Sequence, residues 1–142
     1  MQFSSKLTIT LHILLTIYKF QNVDKVTSTY IAESLTTNPV IIRNILGKLK
    51  KSGIISVETG VGGAKIIKNI EDISLLDIFL AIEDDNKKLF LSHDNVNTDC
   101  PVGANVKDVI NPVFNEIQID FENSLRKIKF SSLCYDLDKR IK

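Results

Sequence analysis

Residues 39–51, PVIIRNILGKLKK, hold the side chains best suited to chemistry with another molecule. Wound as a helix at about 100° per residue, this stretch puts Val40, Arg43, Asn44, Gly47 and Lys51 on one face. Arg43 and Asn44 have the donors and acceptors that read base edges, and Lys51 has the charge that pairs with a phosphate. The face has a small residue at its centre and no acid, so it can lie close to a phosphate backbone and put short side chains into a major groove. Over residues 38–68 the bases are Arg43, Lys48, Lys50, Lys51, Lys65 and Lys68, against Glu58 alone. The same composition suits a solvated face on some other small domain. It is the coincidence of helix pair, hairpin and local charge that favours DNA.

Other chemistries have little to build on. No paired carboxylates and no nucleophile with an evident base stand out, and Thr59–Gly63 lacks the lysine and following helix of a phosphate loop. An enzyme is not expected. Cys100 and Cys134 make neither a disulfide framework nor a complete metal-ligand set. His12 lies in an apolar segment with no cysteine or second histidine at helical spacing, which suits a packed or partly exposed histidine better than a ligand.

The elements that must position these residues follow from periodicity and capping. Asn38 can accept from the first free N–H groups of the 39–51 helix, and Pro39 fits its first position, where no donor is needed. Ile42, Ile45, Leu46 and Leu49 recur at i, i+3, i+4 and i+7 as the buried stripe. A shorter helix precedes it, with Ser28 as its expected cap, Tyr30, Ile31 and Leu35 as apolar contacts, and Thr36-Thr37-Asn38 as the turn. Ser52-Gly53 ends the second helix. Ile54, Ile55 and Val57 make a strand, 59–63 a flexible tip and Ala64–Ile67 the returning strand.

Upstream, residues 5–20 read as a helix apolar on more than one side. Downstream, Ser74 and Asp77 approach a capping box for a helix through about Ile82. Residues 83–101 are polar and aperiodic, with Leu89-Phe90-Leu91 as a short anchor. Val106, Ile110, Val113, Ile117, Phe121, Leu125 and Ile128 then follow a near-heptad seam, broken by Asn111-Pro112, where a helix starts or kinks. A seam with so little chain left to cover it favours docking on a partner chain over folding back on its own domain. Residues 131–137 look like a capped terminal turn before a mobile charged tail.

The fold class expected is mainly α with a small β-wing: a winged helix-turn-helix over 1–83, a sensor-type loop over 84–103, and a dimerisation helix with tail over 104–142. Net charge is only +1, but it is unevenly placed: +5 over 38–68 and −9 over 69–122. That asymmetry suits one face for phosphate and another held away from it. No run is long and apolar enough to span a bilayer and no signal peptide is evident, so the cytoplasm is the expected compartment.

The pieces IAESLTTNPVIIRNILGKLKKSGII, the Gly62-Gly63 wing, ISLLDIFLAIE and CPVGANV together resemble the Rrf2-type winged-helix transcription regulators, a group with iron–sulfur, nitric-oxide and cysteine-metabolism regulators. The resemblance implies a dimer whose long C-terminal helix crosses into its partner, with two winged motifs on a palindromic operator. It places Val40, Ile41, Arg43 and Asn44 near base edges and Lys48 and Lys51 near phosphates. Ser28, Thr29, Tyr30, Thr37 and Asn38 join them along the backbone. The wing departs from the pattern, with Glu58-Thr59 and Ala64 where many relatives have Arg-Gly and Tyr, so Lys65 becomes its main positive contact. Cluster-binding members have three cysteines in the loop. Here only Cys100 is present, with Asp94 and Val106 six residues either side, so no iron–sulfur cofactor is expected.

Cys100 then has two readings: a redox thiol with its pKa lowered by the following helix and raised by Asp99, or a half-buried small residue without chemistry. The signal would be an oxidant, a small molecule or a protein. Two function classes follow: a homodimeric regulator, most simply a repressor, that binds double-stranded DNA, or a winged module that docks on an enzyme or polymerase through its acidic surface.

Overall fold

A computed structural model describes residues 5–58, 62–83 and 88–141. Helix α1 (Lys6–Phe20) lies at the centre of the core. Its buried side carries Thr10, Ile13, Leu14, Thr16 and Ile17, and the two threonine hydroxyls donate to Lys6 O and His12 O at 2.7 and 2.9 Å. Buried polar groups so paired cost little. His12 is exposed, its Nε2 3.0 Å from Ser34 Oγ.

Helices α2 (Ser28–Leu35) and α3 (Pro39–Lys51) form the helix-turn-helix. Thr27 caps α2, not Ser28: extended backbone at Thr27 lets its hydroxyl accept from Tyr30 N, and Ser28 becomes the first helical residue. Thr36 takes the left-handed conformation at the end of α2 (φ 51°). The start of α3 is as expected, with Asn38 Oδ1 accepting from Val40 N at 2.9 Å and Pro39 in the first turn. All four stripe residues, Ile42, Ile45, Leu46 and Leu49, are buried.

Strands β1 (Ile55–Glu58) and β2 (Gly63–Ile66) pair antiparallel, Ile55 opposite Ile66 and Glu58 opposite Gly63. Each begins a residue later or earlier than the sequence suggests, although Ile67 N still donates to Ile54 O at 3.0 Å. Tip residues 59–61 lie outside the described residues. Gly63 is required as glycine: φ is +70°, and a Cβ would stand 2.7 Å from Val26 N. That close approach lets Ala64 N donate to Val26 O at 2.8 Å, and Ile66 N donates to Gln21 Oε1 at 2.8 Å. The wing is thereby stitched to the loop after α1.

Helix α4 (Leu75–Ile82) starts at a full capping box between Ser74 and Asp77. Helix α5 (Pro101–Lys127) begins earlier than expected and runs through Pro112. Pro101 sits at the helix start, where a missing N–H is harmless. Pro112 removes one interior hydrogen bond, but residues 108–113 are all exposed, so the freed carbonyl lies on an exposed stretch of helix. The C-terminus corrects a further expectation. Instead of a turn and a mobile tail, residues Phe130–Arg140 form helix α6, with Phe130, Ser131 and Cys134 buried. Phe130 N donates to Ile73 O and Leu75 N to Ile128 O, at 2.8 and 2.9 Å, tying the α5–α6 joint to the start of α4. Tyr18 Oη and Lys19 Nζ then hold Asp138 at 2.8 and 3.1 Å, while Ser131 and Tyr135 hold Glu71.

Candidate nucleic-acid interface

With its apolar stripe buried, α3 has no choice about what it exposes. Val40, Ile41, Arg43, Asn44, Gly47, Lys50 and Lys51 all face solvent. Gly47 is informative because nothing lies within 4 Å of the Cβ it lacks. A mid-helix glycine costs about 0.5–1 kcal/mol relative to alanine, and packing inside this chain gives no reason for it.

The flanks of α3 border two open grooves. Towards the wing, Arg43, Gly47 and Lys50 line a groove of about 430 Å³ with Thr27, Ser28, Glu58 and Gly63. Towards the start of α1, Ile41, Asn44 and Lys48 line one of about 510 Å³ with Ser5, Lys6 and Ile9. Arg43 and Asn44 therefore point to opposite shoulders of one exposed crest, with Val40, Gly47 and Lys51 along it. Lysines 48, 50 and 51 also complement the negative end of the helix dipole, which gives them a structural use.

The structure distributes the remaining sequence candidates unevenly. Lys48 is half-buried and its ammonium donates to Ile82 O, at the end of α4, at 3.2 Å. It is thus drawn inward, unlike Lys51. Tyr30 is half-buried against Phe20, with its hydroxyl on Asp24 at 3.1 Å; burial and that carboxylate both raise its pKa. Thr37 Oγ1 is directed back to Leu35 O at 3.3 Å, and Thr29 is exposed. Lys65 is exposed on β2 opposite Ser56. Lys50 was not among the sequence candidates. Its place on the wing-side shoulder follows from the helical angle once the wing is positioned, and only the wing-side groove makes that visible.

A sequence profile of the Rrf2 family, described as an iron-dependent transcriptional regulator, matches residues 3–136. The chain belongs to the Rrf2 family. The candidate HTH-type transcriptional regulator YwnA of Bacillus subtilis is 37% identical over 122 residues, which is 86% of this chain and 89% of YwnA. Among solved structures, IscR of T. potens superposes with a TM-score of 0.72 at 17% identity, over 100% of this chain and 92% of that one. The oxidised form of Staphylococcus aureus CymR superposes with a TM-score of 0.65 at 17% identity, over 94% and 96%. At these identities the structures establish the shared winged-helix fold alone. This Rrf2 protein is a transcriptional regulator with a DNA-binding fold, not an enzyme.

The family's iron dependence raises the question of a cluster or metal. The donor set does not fit one. The Asp94 carboxylate is held by Lys107 Nζ at 2.8 Å, which lowers its pKa, Val106 has no donor atom, and Cys134 is buried in the core on α6. Among the described residues no three His, Cys, Asp or Glu side chains cluster. Cys100 is exposed, which removes the reading of it as a half-buried packing residue. The N–H groups of Gly103 and Val102 favour its thiolate and hold the thiol below its ordinary 9.0. Burial, and then the charge of Asp138, push Cys134 up to about 12.

Long α5 carries the other surface. None of its 27 residues is buried. The expected seam is divided: Phe121 packs edge-on against Phe79 with centroids 5.6 Å apart, and Leu125 packs on the core. Ile128 lies just past the helix, with its carbonyl taken by Leu75. Ile110, Val113 and Ile117 remain exposed, joined by Val102 at 71% and Val109 at 68%.

Proposed function

We propose that this regulator acts in the cytoplasm as a homodimer, paired through α5, and represses transcription by binding a near-palindromic operator. The observation that carries the DNA reading is the α3 crest, with exposed Val40, Arg43, Asn44 and Lys51 around a glycine that has open space above it. In this reading α3 enters the major groove, Arg43 and Asn44 read bases from its two shoulders, and Val40 and Ile41 contact base edges. Lys50, Lys51 and Lys65 pair with phosphates, and Ser28 and Thr29 at the start of α2 meet the backbone. Lys48 supports α3 from behind.

The dimer reading rests on the stripe formed by exposed Val102, Val109, Ile110, Val113 and Ile117, with half-buried Val106 among them. An exposed apolar face of this kind marks an interaction surface. An isologous pairing of two such helices sets two α3 crests on one side, about one DNA turn or ~34 Å apart. Cys100, exposed near the start of the stripe, gives this reading its oxidant-responsive position.

The test combines sedimentation with fluorescence anisotropy on DNA selected from a random pool. A two-chain species, and affinity that falls steeply with salt, are expected. A monomer that ignores DNA in dilute buffer would overturn the reading and favour a protein-docking module.

A further inference from the structure

We propose that the pocket between residues 88–92 and the middle of α5 binds a small carboxylate, of about five or six non-hydrogen atoms. The pocket is lined by Lys88, Phe90, Ser92, Asn111, Phe114, Asn115 and Gln118. Its volume is about 100 Å³, the space of roughly three water molecules at about 30 Å³ each.

The walls are fixed, so the pocket is built into the fold. Phe90 stacks on Phe114 with centroids 4.6 Å apart and 22° between the rings. Leu89 N donates to Gln118 Oε1 at 2.9 Å. The Lys107–Asp94 ion pair at 2.8 Å anchors the same segment further along. These three ties hold residues 89–94 on α5 while leaving the pocket between them.

The lining then selects the ligand chemistry. The side chains of Lys88, Ser92, Asn111 and Asn115 hydrogen-bond to no other described residue. They supply one ammonium, one hydroxyl and two amides, and none of the described lining residues is acidic. Four exposed donor-bearing side chains along one pocket, one of them positively charged, match a carboxylate. The stacked phenyl pair offers an apolar wall to a short hydrocarbon arm, as small-molecule sites usually do. An inorganic oxyanion would leave that wall unused.

Position separates this site from the dimer surface. Asn111, Asn115 and Gln118 recur at spacings of four and three, roughly 150° round the helix from Val106, Val113 and Ile117. The pocket therefore stays open when the stripe is covered. Binding would clamp the 88–94 segment to α5, and through α5 would reach α4, on whose last carbonyl Lys48 rests.

The full chain, without DNA, is titrated calorimetrically with propionate, pyruvate, propionamide and inorganic phosphate. Propionate and pyruvate should each bind saturably, one per chain, and propionamide and phosphate at least about tenfold more weakly, a difference of ~1.4 kcal/mol. Lys88→Ala and Asn115→Asp both change exposed positions, and each should cut carboxylate affinity by about tenfold or more with an unchanged melting temperature. No saturable binding of either acid up to about 10 mM would overturn the proposal. So would equal binding of propionamide or phosphate, or indifference to both substitutions. Because no DNA is present, failure here leaves the operator reading untouched.

Discussion

Two lysines three residues apart on α3 should behave in opposite ways when removed. Lys51 is exposed on the crest, while Lys48 is half-buried with its ammonium 3.2 Å from Ile82 O. Exposed cations placed on phosphates are Lys50, Lys51 and Lys65 in each protomer. A dimer thus offers about six phosphate contacts, and at about −0.9 per contact the slope of log K against log salt is about −5.4. Over a fourfold rise in salt, affinity falls roughly two-thousand-fold. Lys51→Ala deletes two contacts per dimer and flattens the slope by about 1.8, weakening binding to all sequences alike. Lys48→Ala deletes none. It should leave the slope within about 0.3 of the parent while lowering stability by roughly 0.5–1.5 kcal/mol, the worth of one hydrogen bond. Anisotropy titrations at four or more salt concentrations, with thermal melts of both variants, measure this. If Lys48→Ala flattens the slope as much as Lys51→Ala does, Lys48 swings outward onto phosphate, and the division of α3 into a crest and a supporting flank is wrong.

Gly47→Ala should raise stability by about 0.5–1 kcal/mol, since a Cβ meets nothing there, yet weaken DNA binding; a variant that is both more stable and binds as tightly would show that nothing approaches the glycine. Val113→Asp should convert a dimer to monomers in sedimentation, because it places a charge in the middle of the apolar stripe, whereas an unchanged mass would mean the stripe is not the interface. Mass spectrometry after brief iodoacetamide treatment of the native protein should find Cys100 alkylated and Cys134 untouched until unfolding, and equal labelling would contradict the burial of α6. Glu71 and Asp138 are held below their ordinary 4.5 and 3.8 by hydroxyl partners, first Tyr135 and first Tyr18 respectively, so their contribution to α6 docking is present above those values and lost as pH falls through the lowered ones. Tyr18 is pushed up to about 12 by its bond to Asp138, so its contribution is full below 10 and lost as pH rises from there towards 12; protection of α6 amides relative to their intrinsic exchange should fall at both extremes, and Tyr18→Phe should lessen the alkaline loss, Tyr135 on Glu71 supplying the remainder.

What the sequence made legible was local and redundant. Asn38-Pro39 and Ser74–Asp77 each announce a helix start through side chains that act within three residues, and both starts lie where expected. The stripe Ile42–Ile45–Leu46–Leu49 is a one-dimensional pattern with a single solution, so the face opposite it was legible too. Thr27 and Ser28 are adjacent hydroxyls, and only the backbone angle at Thr27 decides which of them caps α2. The separation of Lys48 from Lys51 needed the position of α4, since a rotation of roughly 60° about α3 moves an ammonium from solvent to a helix's last carbonyls.

The C-terminal third was least legible, and the reason is tertiary. FSSLCYDLDKR has few apolar residues and would not hold as an isolated helix of 11 residues. It forms because the extended backbone at 128–129 and the Phe130 N–H pair with Leu75 and Ile73, delivering Phe130 and Cys134 into the core that α1 and α4 shape. That docking also explains why the seam of α5 is divided. With the α5–α6 joint pinned to the start of α4, Phe121 and Leu125 must face Phe79 and the core. Only the part N-terminal to them, carrying Val102, Val109, Ile110, Val113 and Ile117, projects beyond the winged body. A heptad-like spacing reports that a helix has one apolar side, and spacing alone is blind to how its length is shared between two surfaces. Here the sharing is fixed by two backbone hydrogen bonds outside the helix. Any motion of α5 relative to the winged body has to break or bend that joint.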